Sequence, residues 1–487
     1  MSAIHDQAMN YVYQQVLQRL LSYFSRAERT ALQLLIQRLT VAAGGSDRIS
    51  DFKVLVIQSG TRDSCYNLAL LRAAQLSLAS RSPATFQLRV ATLRRNGTSA
   101  AAMQCMHRSF GALFLYDDPR VEVLMVDHRQ VMPFDHQLPI SEEGSATTPI
   151  SLLMIGHRRT HNEALELWDE EYLATAEFYG QIARWNNGVD ALVGSEPVRR
   201  QKQFLEGLDR AVQKAGIGTL PANFAGFESL FAILDGLGGN YYREIYPASE
   251  QTLWRPEGQF EACRRTGYVD INDLLVGNLE ERWPLLTEFL GFQLDESARY
   301  QEGSEHVDPL ITAHLHGLQK QFIAGGDYRD GFTQSLQGLL ISMRRSLVPE
   351  PVCQQFEAAL DSAQACELQR ELAAVWLQKT FGLGEMQLVC LLFTPFTRSG
   401  EGLERFLRQC HPGMLVALPD LHRAMQGLHA PEQVLKWMID VSGLPINLIC
   451  RLYAMEPVCA SLENTQENVE ASESADEGTL CDRSAEG

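Results

Sequence analysis

The sequence predicts an α/β plus all-α protein: a small three-layer α/β domain with a mixed sheet, followed by a large helical region. Three observations predict it. Short apolar runs of strand length crowd into residues 50–160. Helical patterns separate the first three of these runs, and a strand–helix–strand–helix–strand order implies parallel pairing through right-handed crossovers. After about residue 160, apolar residues recur mainly at the helical period.

The elements follow in order. Val12, Val16, Leu20 and Phe24 repeat every four residues, with Leu17 and Leu21 widening the stripe, so a helix opens the chain. Ser25-Arg26-Ala27-Glu28 is a capping box that starts a second helix, and Gly44-Gly45 ends it. The apolar runs 52–57, 86–93, 112–116, 121–126 and 150–155 read as strands. Helices are expected at about 64–80 and 98–108. Tyr116-Asp117-Asp118-Pro119-Arg120 reads as a turn between two strands, which would send 121–126 back antiparallel. Residues 133–149, with their Pro, Glu, Ser and Thr, read as a flexible loop. A long helix over 163–185 and another over 197–215 follow, then an irregular Gly/Pro-rich stretch at 216–260. Leu336, Leu339, Leu340 and Met343 mark the core face of a bundle helix. The expected division is an N-terminal helical segment (1–46), the α/β domain (50–160), a helical domain (161–330), a C-terminal helical domain (331–455) and a disordered acidic tail (456–487).

Charge and cysteine usage narrow the function classes. The net charge is −18 over 487 residues, and −8 of it lies in the last 32. No long Lys/Arg run exists, so nucleic acid is not indicated as a partner. The ten cysteines are scattered without a CxxC, which argues against a zinc knuckle. No run reaches the roughly 20 apolar residues of a membrane span. A polar N-terminus gives no secretory leader, so a cytoplasmic location is expected, with export that cleaves no leader as the exception.

The chemistry-bearing stretch is Val54-Leu55-Val56-Ile57-Gln58-Ser59-Gly60-Thr61-Arg62-Asp63-Ser64. A buried strand, a Ser/Gly/Asp turn and a helix start aim backbone N–H groups at one point, where an anion fits. Either Asp63 or Ser64 is an expected N-cap. Residues 52–72 resemble the PP-loop ATP pyrophosphatases, of the adenine-nucleotide alpha-hydrolase-like fold, through their SGGxDS signature. Thr61 stands where that family has a second Gly. The resemblance implies binding of ATP and Mg²⁺ and adenylation of a substrate with release of pyrophosphate. It implies that Ser59, Gly60 and Ser64 line the pyrophosphate and that Asp63 takes the acidic position; Thr61 belongs to the same candidate nucleotide site, but its β-branched side chain places a methyl where phosphate should approach.

A rival reading makes Cys65 a nucleophile. The first turn of a helix favours a thiolate, and Gln58 is placed to donate to an oxyanion. Such a hydrolase or acyltransferase needs a His and an Asp. His107, His128, His136 and His157 follow, with Asp127-His128 at a strand end as the candidate dyad. His306, Asp308, His314 and His316 cluster further on, but His314 and His316 lie about 200° apart on a helix, so no metal site is expected and exposed polar histidines are. Asp235 to Tyr242 reads as a Gly-rich packing turn, and the Arg158-Arg159 and Arg199-Arg200 doublets as solvated helix ends. No catalytic set is complete. The expectation is a regulatory or interaction protein whose helical region docks a protein partner and whose α/β domain binds a nucleotide or other anion. The PP-loop enzyme and the cysteine enzyme are the alternatives.

Overall fold

The computed structural model describes residues 3–81, 84–127, 130–158, 169–215, 265–276, 279–293, 309–345 and 350–455. Within them the architecture is α/β plus all-α, with one six-stranded mixed sheet near the N-terminus and a helical region after it. The tail, the Gly-rich turn at 235–242, His306 and Asp308 lie outside the described residues.

Helices α1 (Ala3–Tyr23) and α2 (Arg26–Ala42) lead into β1 (Lys53–Ile57). The capping box at Ser25 forms in both directions: Ser25 Oγ accepts the Glu28 N–H at 3.2 Å, and Glu28 Oε2 accepts the Ser25 N–H at 2.7 Å. Helix α3 (Arg62–Arg81) crosses to β2 (Gln87–Arg94), and α4 (Ala100–Ala112) crosses to β3 (Val121–Asp127). The strand order is β4-β3-β2-β1-β5-β6, in which β4 (Gln130–Pro133) is antiparallel to β3 and every other pairing is parallel. The alternation of strand side chains sorts the core into two layers. Val54, Val56, Leu88 and Val90 face α1 to α4, while Leu55, Ala91, Leu124 and Leu192 face the later helices.

Several sequence expectations are corrected. Residues 112–116 are not a strand. Helix α4 runs through Ala112, and 113–120 is a turn pinned by a buried arginine of α3. Arg72 donates to Leu113 O, Phe114 O and Asp118 Oδ2 at 3.1, 3.1 and 2.8 Å. With no strand there, β3 is the next strand after the α4 crossover and pairs parallel to β2, not antiparallel. Residues 150–155 are also not a strand, and 133–149 is not one loop. Helix α5 spans Glu142–His157, with Ser141 as its N-cap. Its apolar run is buried on all sides, between the sheet layer and the C-terminal helices, so it carries no amphipathic period.

The sheet also takes in β5 (Ala191–Gly194) and β6 (Gly267–Asp270), from sequence read as purely helical. Helix α6 (Asp169–Arg184), which fits the later part of the helix expected over 163–185, precedes β5, and α7 (Val198–Lys214) follows it. Buried Arg89 of β2 donates to Ile182 O and Trp185 O at 3.1 and 2.7 Å, capping the C-terminus of α6 against the sheet.

After α8 (Leu279–Pro284) the helical region comprises α9 (Pro309–Phe322), α10 (Tyr328–Arg345), α11 (Glu350–Glu357), α12 (Ala363–Phe381), α13 (Glu385–Phe393), α14 (Leu403–Cys410), α15 (Leu418–Met425), α16 (Glu432–Ser442) and α17 (Ile446–Ala454). Leu336, Leu340 and Met343 are buried and Leu339 is half-buried, as the bundle-face reading expects. One apolar core runs without a break from Leu55 of the sheet through α5 to Leu452 of α17. His314 is buried, not exposed: its Nδ1 lies 2.8 Å from Tyr328 Oη and burial pushes its pKa down to about 4.

Candidate functional site

The parallel strands all end at one edge of the sheet. The chain leaves β1 through α3 towards β2 on one side, while β5 and β6 lie on the other. The gap outside the ends of β1 and β5 is therefore the topological switch point, where open α/β sheets leave a crevice for ligands. The turn 58–64 closes one side of it, and Ser195, just after β5, the other.

The turn is held from within. The Gln58 N–H extends the β ladder to Ala91 O at 2.8 Å. Gly60 has φ +77°, and a Cβ there would sit 2.9 Å from the Ala102 carbonyl, so the first turn of α4 lies directly on it. Thr61 is the N-cap of α3, in place of the expected Asp63 or Ser64. Its Oγ1 accepts the Ser64 N–H at 3.4 Å and lies 3.1 Å from Ser59 Oγ. Ser64 Oγ donates to Thr61 O at 2.9 Å, and Arg62 pairs with Asp63 at 3.1 Å. Thr61, the departure from the SGGxDS pattern, thus fills a structural role. The hydroxyls of Ser59, Thr61 and Ser64 are all engaged with the turn itself. Behind the turn, Gln58 is 1% exposed; its Nε2 donates to Ser64 O at 2.8 Å, and its Oε1 is buried without a partner. Asn67 bridges the crevice by donating from Nδ2 to Ser195 Oγ, and its own Oδ1 is left unpartnered.

Cys65 is fully buried against α4. A hydrogen bond with Cys105, then burial, pushes its thiol well above the ordinary value, and Ser109 Oγ lies 3.7 Å from its sulfur. The Cys105 hydrogen bond and burial both work against the thiolate expected at the first turn of a helix. The Gln58 amide is turned to Ser64 O, away from an oxyanion-hole role. His107 stacks on His136 at 3.9 Å between ring centroids and meets Tyr116 Oη at 2.9 Å. His157 is buried in the other layer, beside Cys390. Asp127 does not serve a dyad: its carboxylate accepts the Ser141 N–H and Oγ–H, both at 2.8 Å, and anchors the start of α5. His128 lies outside the described residues. Among the described residues no cluster of three His, Cys, Asp or Glu side chains suits a metal ion, and no helix is long and apolar enough to cross a membrane.

The sequence reading passed over one feature of this edge. Arg94 and Arg95 end β2 and begin the loop to α4. Arg94 Nη1 donates to Thr98 O at 3.0 Å, while its Nε is buried without an acceptor. The available signal was a basic doublet directly after a predicted strand, which is where α/β folds place ligand-binding residues. Searches against family models, curated proteins and solved structures gave no match to this chain.

Proposed function

We propose that this chain is a regulatory or interaction protein. Its α/β unit binds an anionic ligand, of which a nucleotide is one case, and its helical region docks a protein partner. The observation that carries the ligand half is the position of the turn 58–64: it lies at the switch point of a doubly wound sheet, with the N-terminus of α3 aimed into the crevice. Binding is favoured over catalysis because the candidate nucleophile is sealed and the hydroxyls of the turn are spent on capping.

The partner half rests on α12. Leu368, Leu372 and Val375 are 53%, 40% and 64% exposed, and their spacing of four and three residues lays them along one stripe. An exposed apolar stripe on a helix is a common docking surface.

Thermal unfolding of the full chain with and without ATP–Mg²⁺ tests the first half. Ligand at 100 times its dissociation constant adds about 2.7 kcal/mol. Arg62→Ala, which removes the cation of the turn, should reduce the gain. An unchanged midpoint at millimolar ATP, AMP and inorganic phosphate would refute the switch-point site. Leu372→Asp tests the second half, since it should abolish any complex that depends on the α12 stripe while leaving the circular dichroism spectrum intact.

A further inference from the structure

On the face of the sheet opposite α3 and α4, the end of β2 meets α5 and α6 across a small solvent-open cleft of about 60 Å³. The cleft shares no residue with the turn 58–64, so it stands apart from the switch-point reading.

The two walls are chemically unlike. Arg94 lines one of them. Its Nη1 is used on Thr98 O, but its Nε is buried with nothing to donate to. A guanidinium remains charged under such burial, so this wall is cationic and keeps a donor in hand. Gln181 of α6 lines the other. Its Nε2 donates to Glu177 Oε1 at 3.4 Å, which fixes the amide and turns Oε1 the other way. That oxygen is buried and accepts no hydrogen bond. Glu177 itself lines the cleft beside it. One wall therefore asks for an anion that accepts hydrogen bonds, and the other for a cation that donates them. Leu93 and Phe178 give the cleft its apolar surface.

A free α-amino acid carries these three features on one carbon. We propose that this cleft binds a free α-amino acid with an apolar side chain, its carboxylate on Arg94, its ammonium on Gln181 Oε1 and Glu177, and its side chain against Leu93 and Phe178. A nucleotide does not fit the description, because its phosphates would face Glu177 and it offers no ammonium group. A peptide supplies only one of the two charges at any residue that also has a neighbour.

Isothermal titration of the full-length protein tests the proposal. The probes are L-leucine, L-phenylalanine, leucinamide (no carboxylate) and N-acetyl-leucine (no ammonium). The expected result is binding of at least one free amino acid below about 1 mM, with its two blocked forms at least about ten-fold weaker. Arg94→Gln and Gln181→Leu should each weaken binding by about ten-fold or more. Ala174→Phe, which fills the cleft from α6 while leaving every charged residue in the chain, should abolish it and serves if the Arg94 variant does not fold. The proposal is overturned by absence of binding of both amino acids at about 10 mM, by equal binding of N-acetyl-leucine, or by full binding to the Ala174→Phe variant. ATP–Mg²⁺ in the same titration reports separately on the switch-point site, because none of the three cleft variants alters the turn.

Discussion

Removing the Arg72 guanidinium is the sharpest test of how the α/β unit is held together. Arg72 and Asp118 are both 0% exposed and paired at 2.8 Å, and Arg120 reaches the same carboxylate at 2.7 Å. Tyr13 of α1 stacks over both guanidiniums, at 5.5 and 4.7 Å. Burial alone would push Asp118 up, but hydrogen bonding from Arg120 and the charge of Arg72 hold its carboxyl below the ordinary range. Burial pushes Arg72 down, against the charge of Asp118. One carboxylate serves two cations: Asp118 is well compensated, Arg72 loses more to burial than Asp118 returns, and the less buried Arg120 is held above its ordinary value by its hydrogen bond to Asp118.

Arg72→Met keeps most of the side-chain volume but strands the Leu113 and Phe114 carbonyls and takes one cation from a buried carboxylate. Breaking one side of a buried pair costs about 3–5 kcal/mol. With a urea slope of about 3 kcal/mol/M, the midpoint should fall by roughly 1–1.7 M. Urea unfolding of the full chain, followed by circular dichroism, measures this. The exposed Arg408–Glu404 pair is the control, and Glu404→Gln should leave the midpoint in place. Combining Arg72→Met with Asp118→Leu should cost less than the sum of the two single changes, by at least about 1 kcal/mol. A loss below about 1 kcal/mol for Arg72→Met, or strict additivity in the double variant, would refute the argument that this pair pins the 113–120 turn.

Other outcomes follow from the same geometry. Gly60→Ala should destabilise by about 1–3 kcal/mol, because it adds left-handed strain to a contact with the Ala102 carbonyl; Thr61→Ala should cost about 1 kcal/mol as a lost N-cap. Both are measured by urea midpoints, and a neutral Gly60→Ala would mean that α4 does not lie on the turn. Iodoacetamide with mass mapping under native conditions should mark the partly exposed Cys410 and Cys450 before Cys65, and early labelling of Cys65 would contradict its burial. For His314, burial lowers the folded pKa to about 4, whereas the unfolded value is about 6.5. The folded state therefore binds the proton less readily, and its stability is full above about pH 6.5 and declines as pH falls towards 4. His314→Gln should flatten that part of the stability curve, and an unchanged slope would place His314 outside the effect.

How much the sequence disclosed depended on how local each determinant was. Ser25 and Glu28 could be read as a capping box because both partners lie within four residues, and the box forms as read. Helices α3 and α4 and strands β1 and β2 were legible for the same reason. The run 150–155 was not, since a helix buried on every side has the same apolar string as a buried strand. Strands β5 and β6 are four residues each, too short to carry a period; the partner of β5, β1, lies more than 130 residues upstream, and β6 pairs with β5 more than 70 residues upstream. At the turn, Thr61 read as an obstacle to phosphate, and its use as a cap depended on a hydrogen bond that spacing alone left open among Thr61, Asp63 and Ser64. The burial of Cys65 is imposed by α4, which a reading confined to α3 does not contain.

The central position of β1 has a consequence for synthesis. This strand emerges early from the ribosome and gains β2 soon afterwards, but its other edge stays uncovered until Ala191–Gly194 arrives, and β5 in turn waits for Gly267–Asp270. For more than a hundred residues of translation, Val54, Leu55 and Val56 present an open apolar edge to whatever is nearby. A nascent chain stalled anywhere between β3 and β5 should therefore recruit chaperones, and one stalled past β6 should release them.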